Sequence, residues 1–145
     1  MSAVDPLVRK RDAAQAILDA WSKRPLRLGT SDCVRMIAAH LRLLGHKVKL
    51  PASGSYRTLN SATKALKAAG FKSVAEALDS MALERIAPAA AVAGDILQLP
   101  AVDSLGAFGI VLGNGRAMGY PDADGRGVQV VQPLEYVAAW RVIPK

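Results

Sequence analysis

The chain has 145 residues, with 19 Lys and Arg against 12 Asp and Glu, which gives a formal net charge of +7 at pH 7. This length suits one domain, and an apolar fraction of 51% with a single cysteine excludes global disorder, an intrachain disulfide and a zinc site built from several cysteines. No apolar run has the length of a membrane helix or the form of a signal peptide, so we expect neither.

The positive charge is concentrated in the first half of the chain. Residues 1–50 hold ten basic and four acidic residues, whereas residues 86–145 hold four basic and five acidic ones. Such a basic half suggests an acidic partner or nucleic acid. The basic residues form only one run, Arg9-Lys10-Arg11, and no aromatic residues alternate with them for base stacking. Solvated helix faces therefore explain the charge better than nucleic-acid binding does.

Four helices are predicted in residues 1–85. Asp5-Pro6 has the order of an N-cap and a first helical proline, Thr30-Ser31-Asp32 is a second start signal, and Gly45 is a typical C-cap. Apolar residues recur at helical spacing after each start. The predicted helices cover 6–22, a segment from 30–32 to Gly45, 59–69, and a segment from Ser73 to about Ala82.

After Pro88 the pattern changes to short apolar runs joined by turns. Gly113-Asn114-Gly115 is predicted to be a tight turn, because glycine and asparagine tolerate positive φ. About five strands are predicted, at 95–99, 107–112, 116–120, 128–131 and 140–143. Helices followed by strands predict a single α+β domain, in which a helical half (1–85) packs on an antiparallel sheet in the strand half (86–145).

Cys33 is the one thiol in the chain, and the second start signal places it in the first turn of a helix. Unpaired amides and the helix dipole favour a thiolate there, and a nucleophilic cysteine reacts as the thiolate. The alternative is a small buried core residue, since free cysteines are among the most buried residues. Position alone leaves both interpretations open.

A cysteine hydrolase also needs a general base, usually a histidine, and the chain has two, His40 and His46. His40 follows Cys33 by seven residues on the same predicted helix, which separates them by about 10 Å at about 1.5 Å per residue. His46 follows Gly45 and is predicted to lie farther away, exposed to solvent. Neither histidine is therefore predicted to serve Cys33.

Three aspartates could also carry chemistry. Asp95 follows Gly94 at a predicted strand start, where capping of local amides is favoured over catalysis. Asp122 and Asp124 resemble the start of a calcium loop, but Glu135 lies too far along the chain to complete it. We therefore expect no metal and no cofactor.

Several segments, taken in order, resemble the NlpC/P60 cysteine-peptidase superfamily, and in particular a small branch associated with phages and prophages. The resemblance spans residues 21–143. The segments are Asp32-Cys33 at a helix start, Gly94-Asp95-Ile96-Leu97, Phe108-Gly109-Ile110-Val111-Leu112-Gly113-Asn114-Gly115, and Ala139-Trp140-Arg141-Val142.

The resemblance implies that Cys33 occupies the position of the nucleophile, Ala107 that of the histidine base, and Gly119 that of the third polar residue. Two of the three catalytic positions thus hold residues that cannot transfer a proton. Val34 and Arg35 stand where the family has small residues, and Arg35 is expected to fill part of the substrate groove. The expected pocket residues are Asp32, Arg35, Asp95 and Tyr120.

Losing a general base lowers the rate by several orders of magnitude. The resemblance therefore implies a catalytically degenerate domain, made in the bacterial cytoplasm, that serves as a structural or assembly component of a phage or gene-transfer-agent tail tip and contacts tail-hub proteins. One alternative is a residual peptidoglycan peptidase or amidase that uses Cys33 with an unexpected base, such as Asp95, Tyr120 or a partner's histidine. A second alternative is a polyanion or nucleic-acid binder that uses the basic helical half.

Overall fold

The computed structural model describes residues 5–101, 105–121 and 127–145, so the predicted loop aspartates Asp122 and Asp124 lie outside the described residues. Four α-helices pack with one antiparallel sheet, which confirms the predicted α+β class. In these ranges no helix is long and apolar enough to cross a membrane. The helices are α1 (Pro6–Trp21), α2 (Cys33–Leu43), α3 (Leu59–Ala68) and α4 (Val74–Ser80).

The sheet has six strands, one more than predicted, in the order β1-β6-β2-β3-β4-β5. The additional strand, β1, has two charged residues among its three and no alternation of apolar residues, so the sequence pattern does not predict it. It forms by pairing with β6. The strands are β1 (Glu84–Ile86), β2 (Ile96–Leu99), β3 (Ala107–Gly113), β4 (Arg116–Gly119), β5 (Gln129–Val131) and β6 (Ala138–Arg141).

Local capping explains where the helices begin. The Asp5 carboxylate accepts the amide of Leu7 at 2.8 Å, and the Ser73 hydroxyl accepts the amide of Glu76 at 3.0 Å. Thr58 and Ser61 form a reciprocal capping box at the start of α3. Each side chain satisfies an amide that the first helical turn leaves without a backbone partner. The predicted starts at Asp5 and Ser73 are confirmed.

The main core lies between the helices and the sheet. Alternation along the strands divides the apolar side chains between the two sheet faces. Leu97, Val111, Ala117 and Ala139 form a smaller cluster on the face opposite the helices. Fully buried side chains of the main core, from α2 and four strands, include Met36, Leu41, Ile96, Ile110, Met118 and Trp140.

Helix α2 packs against β3, and the two elements run in the same direction. At one end, His40 of α2 contacts the carbonyl of Gly94, whose amide donates to Val111 of β3. At the other end, Cys33 and Ala107, the first residues of α2 and β3, line one cavity. The fold therefore brings the start of α2 to the start of β3.

Candidate functional site

Asp32 builds the start of α2, immediately before Cys33. One carboxylate oxygen accepts the amide of Arg35 at 2.8 Å, and the other accepts the amide of Gly29 at 2.9 Å and the hydroxyl of Tyr56 at 3.0 Å. The side chain is buried. Because both oxygens already accept hydrogen bonds, Asp32 holds the helix start and is poorly placed to take a proton from Cys33.

A cavity of about 430 Å³ lies beside this helix start. Cys33 is half-buried, and it lines the cavity together with Ala107. The volume is within the usual range for ligand pockets, but the walls are mostly aliphatic. Apolar residues line it from the loops before α2 and α3, from α3 itself and from the segment after α3. They include Leu26, Leu28, Leu50, Leu59, Leu66 and Phe71.

The two positions implied for the catalytic partners lie on neighbouring strands. Ala107 begins β3 and Gly119 ends β4. Strand alternation places both on the sheet face of Val111 and Ala117, because Ile110 and Met118, directly paired across the two strands, point into the main core. Ala107 reaches the cavity, whereas Gly119 is not among the described residues that line it.

Tyr120 also lines the cavity, with its hydroxyl donating to the Arg24 carbonyl at 3.0 Å. Burial is the largest cause that raises the pKa of Tyr120 to about 12, and the nearby Asp32 charge adds to it. Burial and the Asp32 charge likewise raise the pKa of Tyr56 to about 12. Both phenols are therefore protonated at neutral pH and cannot serve as general bases.

Arg35 is not among the described residues that line the cavity, contrary to its expected place in the groove. Its guanidinium donates to the carbonyls of Pro51 and Ala52, and it lies over the Tyr56 ring, 5.4 Å from the ring centroid. The reason is that the loop that contains Pro51, itself a lining residue, offers carbonyls that bind the guanidinium. Arg35 therefore shapes the cavity only indirectly, by fixing that loop.

Asp95 lies away from the cavity and forms a buried cluster with Lys10 and Arg141, here called the Asp95 cluster. It is fully buried and ion-paired with Lys10, which is also buried, and the Arg141 Nε atom is 3.5 Å from its other oxygen. Its carboxylate also accepts the amides of Val92 at 2.9 Å and Val142 at 3.0 Å. These contacts give Asp95 the expected capping role and link α1 to two segments of the strand half, 92–95 and 141–142.

Both histidines are buried, and neither is among the described cavity residues. The His40 Nε2–H donates to the Gly94 carbonyl at 2.8 Å, and burial is the main cause that lowers the His40 pKa. The predicted exposure of His46 is wrong. The turn at Gly45 directs His46 beneath the last segment of the chain, where its Nε2–H donates to the Ile143 carbonyl at 2.7 Å.

Sequence reasoning missed Lys10 and Tyr56 as partners of the two buried aspartates. Lys10 precedes Ala13, Ala14, Ile17 and Trp21 at helical spacing, and all of them are buried. A lysine on an otherwise apolar stripe indicates a buried ion pair, although it does not name the acid. Tyr56 lies in a predicted loop and gave no comparable signal.

Within the described ranges, no three His, Cys, Asp or Glu side chains are grouped so that they could hold a metal ion. The fold and the site define an α+β domain with a cysteine at the start of a central helix, an apolar cavity beside it, and no histidine among the described cavity residues. The chain belongs to the family DUF6950, a domain of unknown function, whose model matches residues 8–142. No curated protein matches the chain.

Proposed function

We propose that the chain is a catalytically inactive NlpC/P60-like domain that acts by binding, as a structural component of a phage-type tail tip. One observation carries the loss of catalysis. Cys33 and Ala107 line the same cavity, no histidine is among its described lining residues, and the two tyrosines there are protonated at neutral pH. The resemblance thus assigns the histidine position to a residue that lines the same cavity as Cys33 and carries only a methyl group.

The other groups considered as bases support this conclusion because each has another partner or lies away from the cavity. Asp32 accepts three hydrogen bonds, Asp95 is paired with Lys10, and Tyr120 is a protonated phenol. A thiolate at Cys33 would also lie next to the Asp32 carboxylate, which opposes the benefit of the helix dipole. Without a base, the thiol of such a site turns over several orders of magnitude more slowly.

The cavity walls support binding of an apolar group. Leucines and alanines form half of the described lining, and the charged side chains there are Asp32 and Lys49. The peptides of peptidoglycan are polar, so their burial here would leave hydrogen-bonding groups without partners, at a cost of about 1–3 kcal/mol each. An apolar side chain of a protein partner avoids that cost.

The tail-tip assignment rests on the resemblance to the NlpC/P60 superfamily together with the charge of the chain. The excess of basic residues lies in the helical half, and a basic surface favours docking on an acidic protein surface. Tail-hub proteins encoded beside this chain are the proposed partners, and the virion tail is the proposed location.

Two experiments test the two parts of this proposal. Purified peptidoglycan incubated with the wild-type chain and with Cys33→Ala should release no soluble fragments in either case. Release by the wild type alone would show that the chain is an enzyme. Co-expression with the tail-hub proteins of the same genome should give a complex of fixed stoichiometry, and separate elution of all components would contradict the tail-tip role.

A residual cysteine peptidase is the second candidate, because the half-buried Cys33 lies at a helix start and lines a cavity. It requires a base from a partner protein, so the same peptidoglycan assay repeated with the tail-hub complex tests it. A polyanion binder is the third, favoured by the basic helical half. Retention on heparin at low salt, lost steeply as salt rises, would support it.

A further inference from the structure

The 132–137 loop, between β5 and β6, is a preformed apolar protrusion. Leu134 is 93% exposed, Val137 56% and Tyr136 41%. Two hydrogen bonds hold the loop, because the Val137 amide donates to the Gln98 carbonyl of β2 at 2.9 Å and the Tyr136 hydroxyl donates to the Pro133 carbonyl at 3.3 Å. Scattered exposed leucines are ordinary, but three apolar side chains on one short, braced loop form a surface suited to contact.

The cavity beside Cys33 is the complementary feature. It is concave and mainly aliphatic, and its volume of about 430 Å³ can accept a leucine side chain with room to spare. Lys49 is exposed and is the one cation among the described lining residues. Asp32, the one anion there, has both oxygens occupied by hydrogen bonds. An apolar group followed by a carboxylate therefore matches the cavity and its rim.

We infer that the cavity receives the 132–137 loop of a second copy of this chain. Leu134 of one copy enters the cavity of the other, and Glu135, the next residue, pairs with Lys49 of the partner subunit. The net charges agree, because residues 86–145 carry an acidic excess of one and residues 1–85 a basic excess of eight. The exposure of Leu134 shows that it does not fill the cavity of its own chain.

Such a contact joins two different surfaces of the same chain. It can be exchanged reciprocally in a dimer or repeated around a closed ring. A contact built on one short loop is small, so association is expected to be weak and dependent on concentration. The inference rests on the proposed function in one respect, namely that the cavity binds a protein group. The peptidoglycan assay tests the proposed function, and the oligomeric state tests the insertion of the loop into a second copy.

The test is sedimentation velocity over a concentration series with the wild-type chain and two blocking variants. Leu134→Asp removes the inserted side chain, and Ala65→Phe fills the cavity from α3 at a half-exposed position. Each should raise the dissociation constant about tenfold or more. Leu7→Asp, at an exposed apolar position on α1, should leave it unchanged. Circular dichroism establishes that each variant is folded.

A charge exchange tests the proposed pairing. Lys49→Glu and Glu135→Lys should each weaken association by up to about fivefold, and the double variant should restore it. Lys72→Glu, an exposed change elsewhere on the helical half, is the matched control. A wild-type chain that stays monomeric at every concentration overturns the inference, and so does self-association that Leu134→Asp leaves intact.

Discussion

Two regions of the molecule each centre on a buried aspartate that follows a glycine-containing turn and accepts two backbone amides, and they differ in their other partners and in what lies beside them. Around Asp95, a lysine, an arginine and two amides surround the carboxylate inside the protein. Around Asp32, the partners are two amides and a phenol, and an apolar cavity lies next to it. The first region links distant segments of the chain, and the second borders an open cavity.

The difference shows where this chain keeps its ionised groups. A hydrolase needs paired acids and bases beside its nucleophile, where they exchange protons with substrate. Here the buried ion pair of Lys10 and Asp95 lies between α1 and the sheet, while Cys33 lines a mostly aliphatic cavity. The charged groups that stabilise the fold therefore lie apart from the cavity at which chemistry would be expected.

The largest effect is expected from the Asp95 cluster. Asp95→Ala leaves the buried Lys10 without its carboxylate and two amides without acceptors, so it should lower the free energy of unfolding by about 3–5 kcal/mol. Urea denaturation measures this. Asp12→Ala, which removes an exposed pair with Arg11, is the control and should change stability by less than about 1 kcal/mol. Equal losses in both variants would contradict the role given to the cluster.

A second prediction concerns the cavity. In Ala107→His an imidazolium would favour the Cys33 thiolate, so alkylation of Cys33 by iodoacetamide at pH 7 should become about tenfold faster. Mass spectrometry gives the rate and the modified site. Val130→His, on the exposed edge strand β5, should leave the rate unchanged. An unaltered rate in Ala107→His would show that residue 107 does not reach Cys33, and the implied alignment would fail.

A third prediction concerns pH. Burial lowers the His40 pKa from 6.5, with Lys10 and His46 acting in the same direction and Asp95 and the Gly94 carbonyl opposing them. The folded state therefore binds fewer protons than the unfolded state, so stability is complete above about pH 6.5 and falls as the pH is lowered. His40→Gln, which keeps a donor for Gly94, should flatten this decline in urea titrations. Parallel profiles for the two proteins would contradict it.

The smallest effect is expected at the surface. Arg85 and then Trp140 hold the pKa of Asp79 below its ordinary value by hydrogen bonding. A lowered pKa adds stability above pH 4 that is lost as the pH falls through the folded value. Because the pair is half-exposed, Asp79→Asn should cost at most about 1 kcal/mol at pH 7, and the difference should shrink as the pH falls through the folded pKa of Asp79.

Helix starts could be predicted from the sequence because capping is local. Asp5, Asp32 and Ser73 each bind an amide two or three residues ahead, so a short window contains both partners. Strand β1 could not be predicted in this way, since Glu84 and Ile86 pair with Arg141 and Ala139. Its existence depends on a strand more than fifty residues later.

At the candidate site, the place of Cys33 at a helix start could be predicted from the sequence, and its surroundings could not. The position of Cys33 follows from the Asp32 cap, which is a local feature. The burial of His46 follows from the return of the chain to Ile143, and the burial of Lys10 from a carboxylate 85 residues away. Arg35 was misplaced for the same reason, because carbonyls 16 and 17 residues away bind its guanidinium.

Helix α1 packs against α2, and three polar contacts also fasten it to late parts of the chain. Lys10 is paired with Asp95, the Trp21 carbonyl accepts the amide of Val128 at 3.1 Å, and Arg9 donates to the Lys145 carbonyl at 3.2 Å. During translation, α1 leaves the ribosome before the sheet does, and its lysine must wait for Asp95 before it finds a counter-ion. Until then α1 is incompletely packed, and such intermediates are prone to contacts with chaperones or with other chains.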